Sequence, residues 1–448
     1  MKKIIALALC VLLIAAVFVG CSAEEKANFN GNADEYVYMY EEGRNRDWEE
    51  DIIYLAKTFL ELHPTLVDGN TFGYIASPGN LAVETVYCYD ENIRKEFIDT
   101  VNLLIPKIDE ISDLEIFMEI SGIIAITGDG YSYIGDYSIE ETFPVRLWGF
   151  CVDGEYGIYV RAISEEYSHL MYSELESING IGIKEIIKNT QKYVAQSEGS
   201  LYTRYSSCFE TREYLAAIGV MEYEDETVTY CFVKADGTKE EVELTISSAE
   251  DAPKDPTAGS FAFFDIFDKD YFYEMIDDET IYIRIGYFNE TPYYSFGKMT
   301  NELSSIAKNG NITKTIIDFR GGAGGSTGIS GYDTFLKIIC EEDFGNVYIL
   351  NDGANQHIGV YTASIIRQHN SDAVIVGSAS EGPNFYTHNG PYFHLPNNGF
   401  RFTCSDRMLI SWPGYEYDVL MPDIEIYQTI EDYKNGVDTV LEAVLAME

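Results

Sequence analysis

The C-terminal part of the chain alternates short apolar runs with longer amphipathic stretches. This alternation limits the available folds more than any other feature. The apolar, β-branched runs that predict buried strands lie at residues 280–285, 315–319, 346–350 and 373–376. Stretches with helical periodicity separate them, and strands alternating with helices form a parallel sheet covered by helices. We therefore predict a mixed α/β domain over residues 257–448.

A glycine-rich turn follows the second of these strands. Residues 317–325 have the sequence IDFRGGAGG, so the strand ends just before a cluster of glycines. Glycine permits positive φ, and such a turn can present backbone amides that hold an oxyanion in acyl transfer. The candidate oxyanion or cleft residues are Gly321, Gly322 and Gly324. Their spacing fits neither a dinucleotide fingerprint nor a P-loop. A tight turn without chemistry is the alternative.

Four later segments make a family resemblance specific. They are GPN at 382–384, FHLPNNG at 393–399, MPDI at 421–424, and a closing helix at 430–441 that contains EDY and NG. The glycine turn resembles the DLRGNxGG turn of the C-terminal-processing (tail-specific) serine peptidases. The later segments are similar to that family's GGKPN turn, FxLPNxG hairpin, VxPDI segment and final helix, in the same order.

The resemblance extends upstream and implies a domain order. GDGYS at 128–132 resembles the family's GDGHT, and residues 174–181 resemble the LxxING of its PDZ-like domain. The resemblance implies a crotonase-like α/β protease core at 257–448 and a PDZ-like β-rich module at 145–256. It also implies a helical N-terminal region at 47–144.

The family's catalytic groups are missing at the matching positions. The resemblance implies a nucleophilic serine in the loop after the strand at 346–350, but the loop sequence NDGANQHIGV places Gln356, His357 or Ile358 there. Pro383 stands where the family has its lysine base, and Tyr131 replaces the histidine of GDGHT. A missing nucleophile is not offset by a good oxyanion hole. We predict that the family's Ser-Lys peptidase activity is absent.

Two other interpretations remain open. Ser326 follows the glycine turn, and His357 would lie near it in the implied fold, as base to a displaced serine nucleophile. A turn-capping serine and a surface histidine are the simpler explanation. If Ser326 and His357 do act together, the alternative function is an active serine-type peptidase with displaced catalytic groups. The second open interpretation is a solute-binding lipoprotein that shares only the α/β pattern with this family.

The N-terminus has the pattern of a bacterial lipoprotein signal. Lys2 and Lys3 precede an apolar run at 4–19, which is shorter than the roughly 20 residues of a spanning helix. The run ends at Gly20-Cys21, as in a lipobox. We predict a signal peptide at 1–20, lipidation at Cys21 and a flexible tether at 21–46. An ordinary cleaved signal and an uncleaved anchor are the alternatives.

The composition narrows the range of partners. A net charge of −44 without a basic stripe excludes nucleic acid. The cysteines and histidines are scattered without metal-ligand spacing, so we predict no metal and no cofactor. The resulting hypothesis is a catalytically silent lipoprotein, anchored by lipid on the extracytoplasmic side of the cell membrane. It would bind a peptide or unfolded protein segment by addition to a strand edge.

Overall fold

The computed structural model describes most of the chain after the predicted tether. The described residues are 46–67, 73–76, 82–86, 88–135, 139–152, 155–257, 270–291, 294–309, 311–322, 324–341, 344–380, 384–387, 392–412 and 415–447. The predicted signal peptide, Cys21, the tether up to residue 45, and Pro383 lie outside them. Among the helices in these ranges, none is long and apolar enough to cross a membrane.

The first region combines helices with a strand pair. Its elements are α1 (Arg46–Leu62), β1 (Gly73–Ala76), β2 (Ala82–Val86), α2 (Glu91–Leu104) and α3 (Asp113–Ala125). Helix α3 begins with a capping box, in which Ser112 and Glu115 satisfy each other's backbone amides. The prediction of a helical region is incomplete, because β1 and β2 lie within it. Both are short, and they depend on pairing with a distant strand rather than on a local pattern.

The middle region is a β-rich module. Its elements are β3 (Glu141–Thr142), β4 (Val145–Val152), β5 (Glu155–Ile163), β6 (Glu174–Ile178), β7 (Ile181–Gly182), α4 (Ile183–Thr190), α5 (Glu198–Tyr202), α6 (Arg212–Ala217), β8 (Thr227–Val233), β9 (Lys239–Thr245) and β10 (Ser247–Ser248). The main sheet has the order β4-β5-β6-β8-β9 and is antiparallel. A 3₁₀ helix, Arg204–Glu210, joins α5 to α6.

The C-terminal region alternates strands and helices. Its elements are β11 (Tyr271–Met275), β12 (Thr280–Ile285), β13 (Tyr287–Phe288), α7 (Phe296–Asn309), β14 (Lys314–Asp318), β15 (Gly324–Gly325), α8 (Tyr332–Glu341), β16 (Asn346–Asn351), α9 (Ile358–His369), β17 (Val374–Gly377), β18 (Asn384–Thr387), β19 (Phe393–His394), β20 (Arg401–Phe402), β21 (Arg407–Ile410), β22 (Ile424–Glu425), α10 (Ile430–Lys434) and α11 (Thr439–Ala446). The main sheet has the order β11-β12-β14-β16-β17-β22, parallel except for β11.

Helices cover both faces of this parallel sheet. On one face, Ile281 and Ile283 of β12 pack into a core with side chains of α7, α8 and α9. On the other face, Tyr282 packs with Val440 and Val444 of α11. Because successive strand residues point to opposite faces, a strand buried on both sides is largely apolar, as the sequence pattern indicated for β12, where Arg284 is the charged exception. The predicted mixed α/β fold class is confirmed.

The first and last regions share a core. Strands β1 and β2 form a four-stranded sheet with β21 and β18. The core of α1–α3 also includes Leu395, Phe402 and Cys404, from the segment around the β19–β20 hairpin. The buried carboxylate of Asp51 accepts the backbone N–H groups of the hairpin residues Asn397 and Asn398, at 2.8 and 2.9 Å. The hairpin is thereby held against the helices.

Candidate functional site

His357 occupies the turn between β16 and α9. It is the N-cap residue of α9, with φ 48° and ψ −112°. Residues other than glycine adopt this backbone at a cost of about 1–3 kcal/mol, and such outliers cluster at functional sites. In strand–turn–helix elbows, the residue in the strained turn carries the exposed reactive side chain. Of the three residues that the sequence placed here, His357 has this geometry.

Tyr131 faces His357 across the cleft. The two rings meet edge to face, with centroids 4.2 Å apart. Burial is the largest of the effects that raise the pKa of Tyr131 to about 12. The phenol is therefore neutral near pH 7, when it can donate a hydrogen bond but is a poor base or nucleophile.

A buried cluster fixes the turn that carries Tyr131. The Asp129 carboxylate accepts the Tyr131 N–H at 2.7 Å and the Ser132 hydroxyl at 2.5 Å, and it contacts His63 Nε2 at 3.2 Å. Burial alone would raise the pKa of Asp129, but His63 and the hydroxyl donors outweigh it and the pKa is lowered. The order serine–aspartate–histidine puts the carboxylate in the middle, so the cluster orients a turn rather than activating its serine. No local signal in the sequence pointed to His63.

The glycine turn donates an amide to a carboxylate of the chain itself. Gly321 N–H lies 3.1 Å from each oxygen of Asp352. Loss of hydration raises the pKa of Asp352 to about 6, against the opposing effects of the Gly321 amide and Arg320. Gly324 is part of β15 and pairs with Tyr287. The first candidate oxyanion amide is therefore engaged internally.

The backbone conformation at the second position of the turn requires a glycine, Gly322. Its φ is 98°, and a Cβ there would lie 3.1 Å from the carbonyl oxygen of Ala354. A side chain would strain the backbone and crowd the loop that follows β16.

Buried ion pairs anchor the glycine turn. Arg320 donates to both oxygens of Asp318 and to both oxygens of Asp438, with Nη2 at 2.7 Å from each residue. Burial alone would raise the pKa of Asp318, but Arg320 and Arg284 hold it at about 2. The turn is thus tied to α11, whose N-cap is Asp438.

Gln356 ties the module to the loop beside His357. Its Oε1 accepts from Arg204 at 2.6 Å, and its Nε2 donates to Gln196 at 2.9 Å. Gln196 in turn donates to the carbonyl of Gly130 at 2.6 Å. From α5, the Ser200 hydroxyl donates to the carbonyl of Gly353 at 2.7 Å. Helix α5 therefore lies directly on the loop between β16 and α9.

The nearby hydroxyl groups have structural partners. Thr362 and Ser364 are buried in α9, and each donates to the carbonyl four residues earlier, at 2.6 and 2.7 Å. Ser326 Oγ accepts the Gly328 N–H at 3.1 Å, which is the turn-capping arrangement. Ile358 is the first residue of α9.

A cavity of about 420 Å³ opens beside His357. Its lining includes Tyr131, Gln196, Ser197, His357, Tyr386 and Asp418. Its size lies within the range of small-ligand pockets, roughly 300–1,000 Å³. Within the described part of the chain, no group of three or more His, Cys, Asp or Glu side chains is placed to hold a metal ion.

The chain is similar to solved structures. No protein-family model and no curated protein matches it. Mature CPAF matches with a TM-score of 0.54 and 12% identity, covering 89% of this chain and 95% of that one. Mature CPAF in complex with lactacystin matches with a TM-score of 0.52 and 12% identity, over 89% and 97%. The photosystem II D1 C-terminal processing protease matches with a TM-score of 0.41 and 10% identity, covering 89% of this chain and 96% of that one. By these comparisons the chain has the fold of mature CPAF.

Proposed function

We propose that the protein is an exported lipoprotein with a tail-specific peptidase fold, which binds a short peptide segment and does not cleave it by Ser-Lys chemistry. The observation that carries this proposal is His357 at the strained turn between β16 and α9, where the sequence resemblance places the nucleophile. The fold likeness and the ordered sequence motifs support the same architecture.

Three features argue against acyl transfer at this turn. The side chain in the turn is an imidazole, and the group facing it is a neutral phenol with a pKa of about 12. The Gly321 amide is engaged by Asp352. An oxyanion stabiliser works only when its donors point at the developing charge, about 2.7–3.1 Å away.

The cavity argues for a short ligand rather than a long extended one. Helix α5 packs on the loop at Gly353, and the Gly199 and Gly353 backbones are close enough that a Cβ on Gly353 would lie 2.9 Å from the Gly199 carbonyl carbon. The remaining space beside His357 is about 420 Å³. It is lined by imidazole, phenol, amide and carboxylate groups, which suit the polar backbone of a peptide of two or three residues.

The primary test combines labelling with binding. Purified protein is treated with a serine-reactive fluorophosphonate, and acetylated tripeptides are screened by saturation-transfer NMR. We expect no labelling, and peptide binding that weakens about tenfold in His357→Ala, as for a lost contact worth about 1.4 kcal/mol. The exposed His394 gives a matched control, because His394→Ala should bind as the wild type does. Labelling that disappears in Ser326→Ala would instead establish a displaced serine peptidase.

Membrane attachment is proposed from the N-terminal sequence. Acylation at Cys21 would hold the protein on the extracytoplasmic face, since each buried CH₂ contributes about 0.8 kcal/mol. Cells fed a clickable palmitate analogue should label the wild-type protein and leave Cys21→Ser unlabelled. Equal labelling of both proteins would reject lipidation at this residue.

A further inference from the structure

A second cavity, of about 540 Å³, lies between the helical region and the β-rich module. Helix α3, the start of β4, the 3₁₀ helix Arg204–Glu210 and α6 supply its walls. The apolar part of the lining includes Leu114, Phe117, Met118, Leu147 and Trp148. A mostly apolar cavity of this volume is large enough for a small organic molecule.

Three buried polar atoms belong to residues in the wall of this cavity and make no hydrogen bond within the described part of the chain. They are Oγ1 of Thr142, Oε2 of Glu213 and the hydroxyl of Tyr214. Thr142 and Glu213 are only 6% and 8% exposed. A buried polar atom without a partner destabilises a protein by about 1–3 kcal/mol, and more if it is charged.

The other charged groups of the wall are matched to partners. Arg146 donates to Glu210 at 2.5 Å, and Glu210 also accepts the Leu147 N–H at 2.7 Å. Arg161 donates to Asp255 at 2.5 Å and lies over the Trp148 ring at 5.2 Å. Among the described residues of the wall, Glu213 is the carboxylate without a cation partner.

We propose that this cavity binds a small primary amine with an aromatic or alicyclic body. The ammonium group donates to the carboxylate of Glu213, while the body packs against Phe117, Met118 and Trp148. An ammonium has donors and no acceptor, so it matches the carboxylate, whereas a carboxylic acid would meet like charge. The site is independent of the peptide site proposed at His357.

The proposal is tested by calorimetric titration of the full mature protein with three probes. These are 4-phenylbutylamine, 4-phenylbutanol and 4-phenylbutyrate, which share a body and differ in charge. We expect the amine to bind about tenfold or more tightly than the alcohol, because a hydrogen bond to a charged group contributes more than a neutral one. The acid should give no binding signal. Equal affinities for amine and alcohol would overturn the proposal.

Variants locate the binding site. Glu213→Gln should weaken the amine about tenfold and leave the alcohol unchanged, whereas the exposed Glu224→Gln should change neither. Ser207→Trp, at an exposed position in the lining, should fill the mouth and remove binding of both probes. If Glu213→Gln does not fold, Ser207→Trp still tests the site. Binding that survives Ser207→Trp would place the probes elsewhere, and His357→Ala should have no effect on them.

Discussion

At the scale of single residues, His357 combines a strained backbone with a side chain that can contact a ligand. Its φ of 48° and ψ of −112° suit glycine better than histidine. Next to it, Gln356 is 4% exposed and fully engaged by hydrogen bonds from the module. The loop therefore holds His357 in a conformation that an isolated peptide would avoid. Strain of this kind persists where surrounding contacts over-determine the backbone.

At position 357, glycine should give a more stable protein than alanine. We expect His357→Gly to have a free energy of unfolding about 1 kcal/mol or more above that of His357→Ala, since both lack the imidazole and only glycine relieves the positive φ. Urea denaturation of the two variants measures the difference. An alanine variant as stable as the glycine variant would contradict a strained turn.

The carboxyl of Asp352 should make stability depend on pH. Its pKa is raised to about 6 in the folded protein, against about 3.9 in an unfolded chain. The folded state then binds more protons between pH 4 and 6, so its stability falls as pH rises through that range. Asp352→Asn removes this effect. Relative to the wild type, the variant should gain about 1–2 kcal/mol between pH 4 and 6. The measurement is urea denaturation of both proteins at several pH values. If the free energies of unfolding of the wild type and the variant change equally between pH 4 and 6, Asp352 does not have this role.

At the scale of elements, α11 and the glycine turn depend on one partly buried aspartate. Asp438 caps α11 by accepting the Leu441 N–H at 3.0 Å, and it also accepts two hydrogen bonds from Arg320. Arg320 is 2% exposed. Removing Asp438 leaves the buried Arg320 with Asp318 as its remaining carboxylate partner, which costs more than losing a surface pair but less than leaving the charge uncompensated.

Substitutions at Asp438 separate the two contributions. Asp438→Ala should lower the free energy of unfolding by about 2–3 kcal/mol, because it removes the helix cap and one of the two carboxylate partners of Arg320. Asp438→Asn should lower it less, since asparagine still caps a helix. As a control, Asp99→Ala breaks an exposed i,i+4 pair with Lys95 and should have little effect. Chemical denaturation compares all three. If the free energy of unfolding falls strongly in Asp99→Ala and not in the Asp438 variants, Asp438 does not hold α11 and the glycine turn in place.

Local sequence patterns predict some elements well and others poorly. The run at 346–350 became β16, Asn346–Asn351, because a strand buried on both faces is apolar throughout. In contrast, β1 and β2 were missed. β1 pairs with β2, and β2 pairs with β21, which lies more than three hundred residues along the chain; strand propensity depends strongly on such neighbours. The hairpin β19–β20 was anticipated from its motif, but its contact with Asp51 was not.

At the scale of the whole molecule, the regions differ in whether each encloses its own hydrophobic core. The main core of the module lies between Phe143 and Leu244, and only a smaller cluster joins Phe150 and Tyr159 of the described module to Tyr433 of α10. The core of the helical region includes Leu395, Phe402 and Cys404 from the C-terminal region. A unit that encloses its own core can fold alone, and one that shares its core cannot close it.

Fragments of the chain test this difference. A fragment of residues 141–248 should fold cooperatively, whereas a fragment of residues 46–135 should not, because part of its apolar surface stays uncovered. Circular dichroism and amide dispersion in NMR spectra of both fragments measure the outcome. Cooperative folding of the 46–135 fragment would mean that the shared residues contribute little.

The sequence by itself determined the α/β class and the motifs of the C-terminal region, and it carries the prediction that the serine and lysine of the family it resembles are absent. These features reside in local periodicity or in the identity of single residues, which need no partner to be recognised. Only the tertiary structure decided that His357 occupies the turn, that Asp352 binds the Gly321 amide, and that α5 covers the loop. The same holds for the second cavity and for the place of Glu213 in its wall. Each depends on contacts between distant segments, whose energies are set by burial and geometry rather than by the local chain.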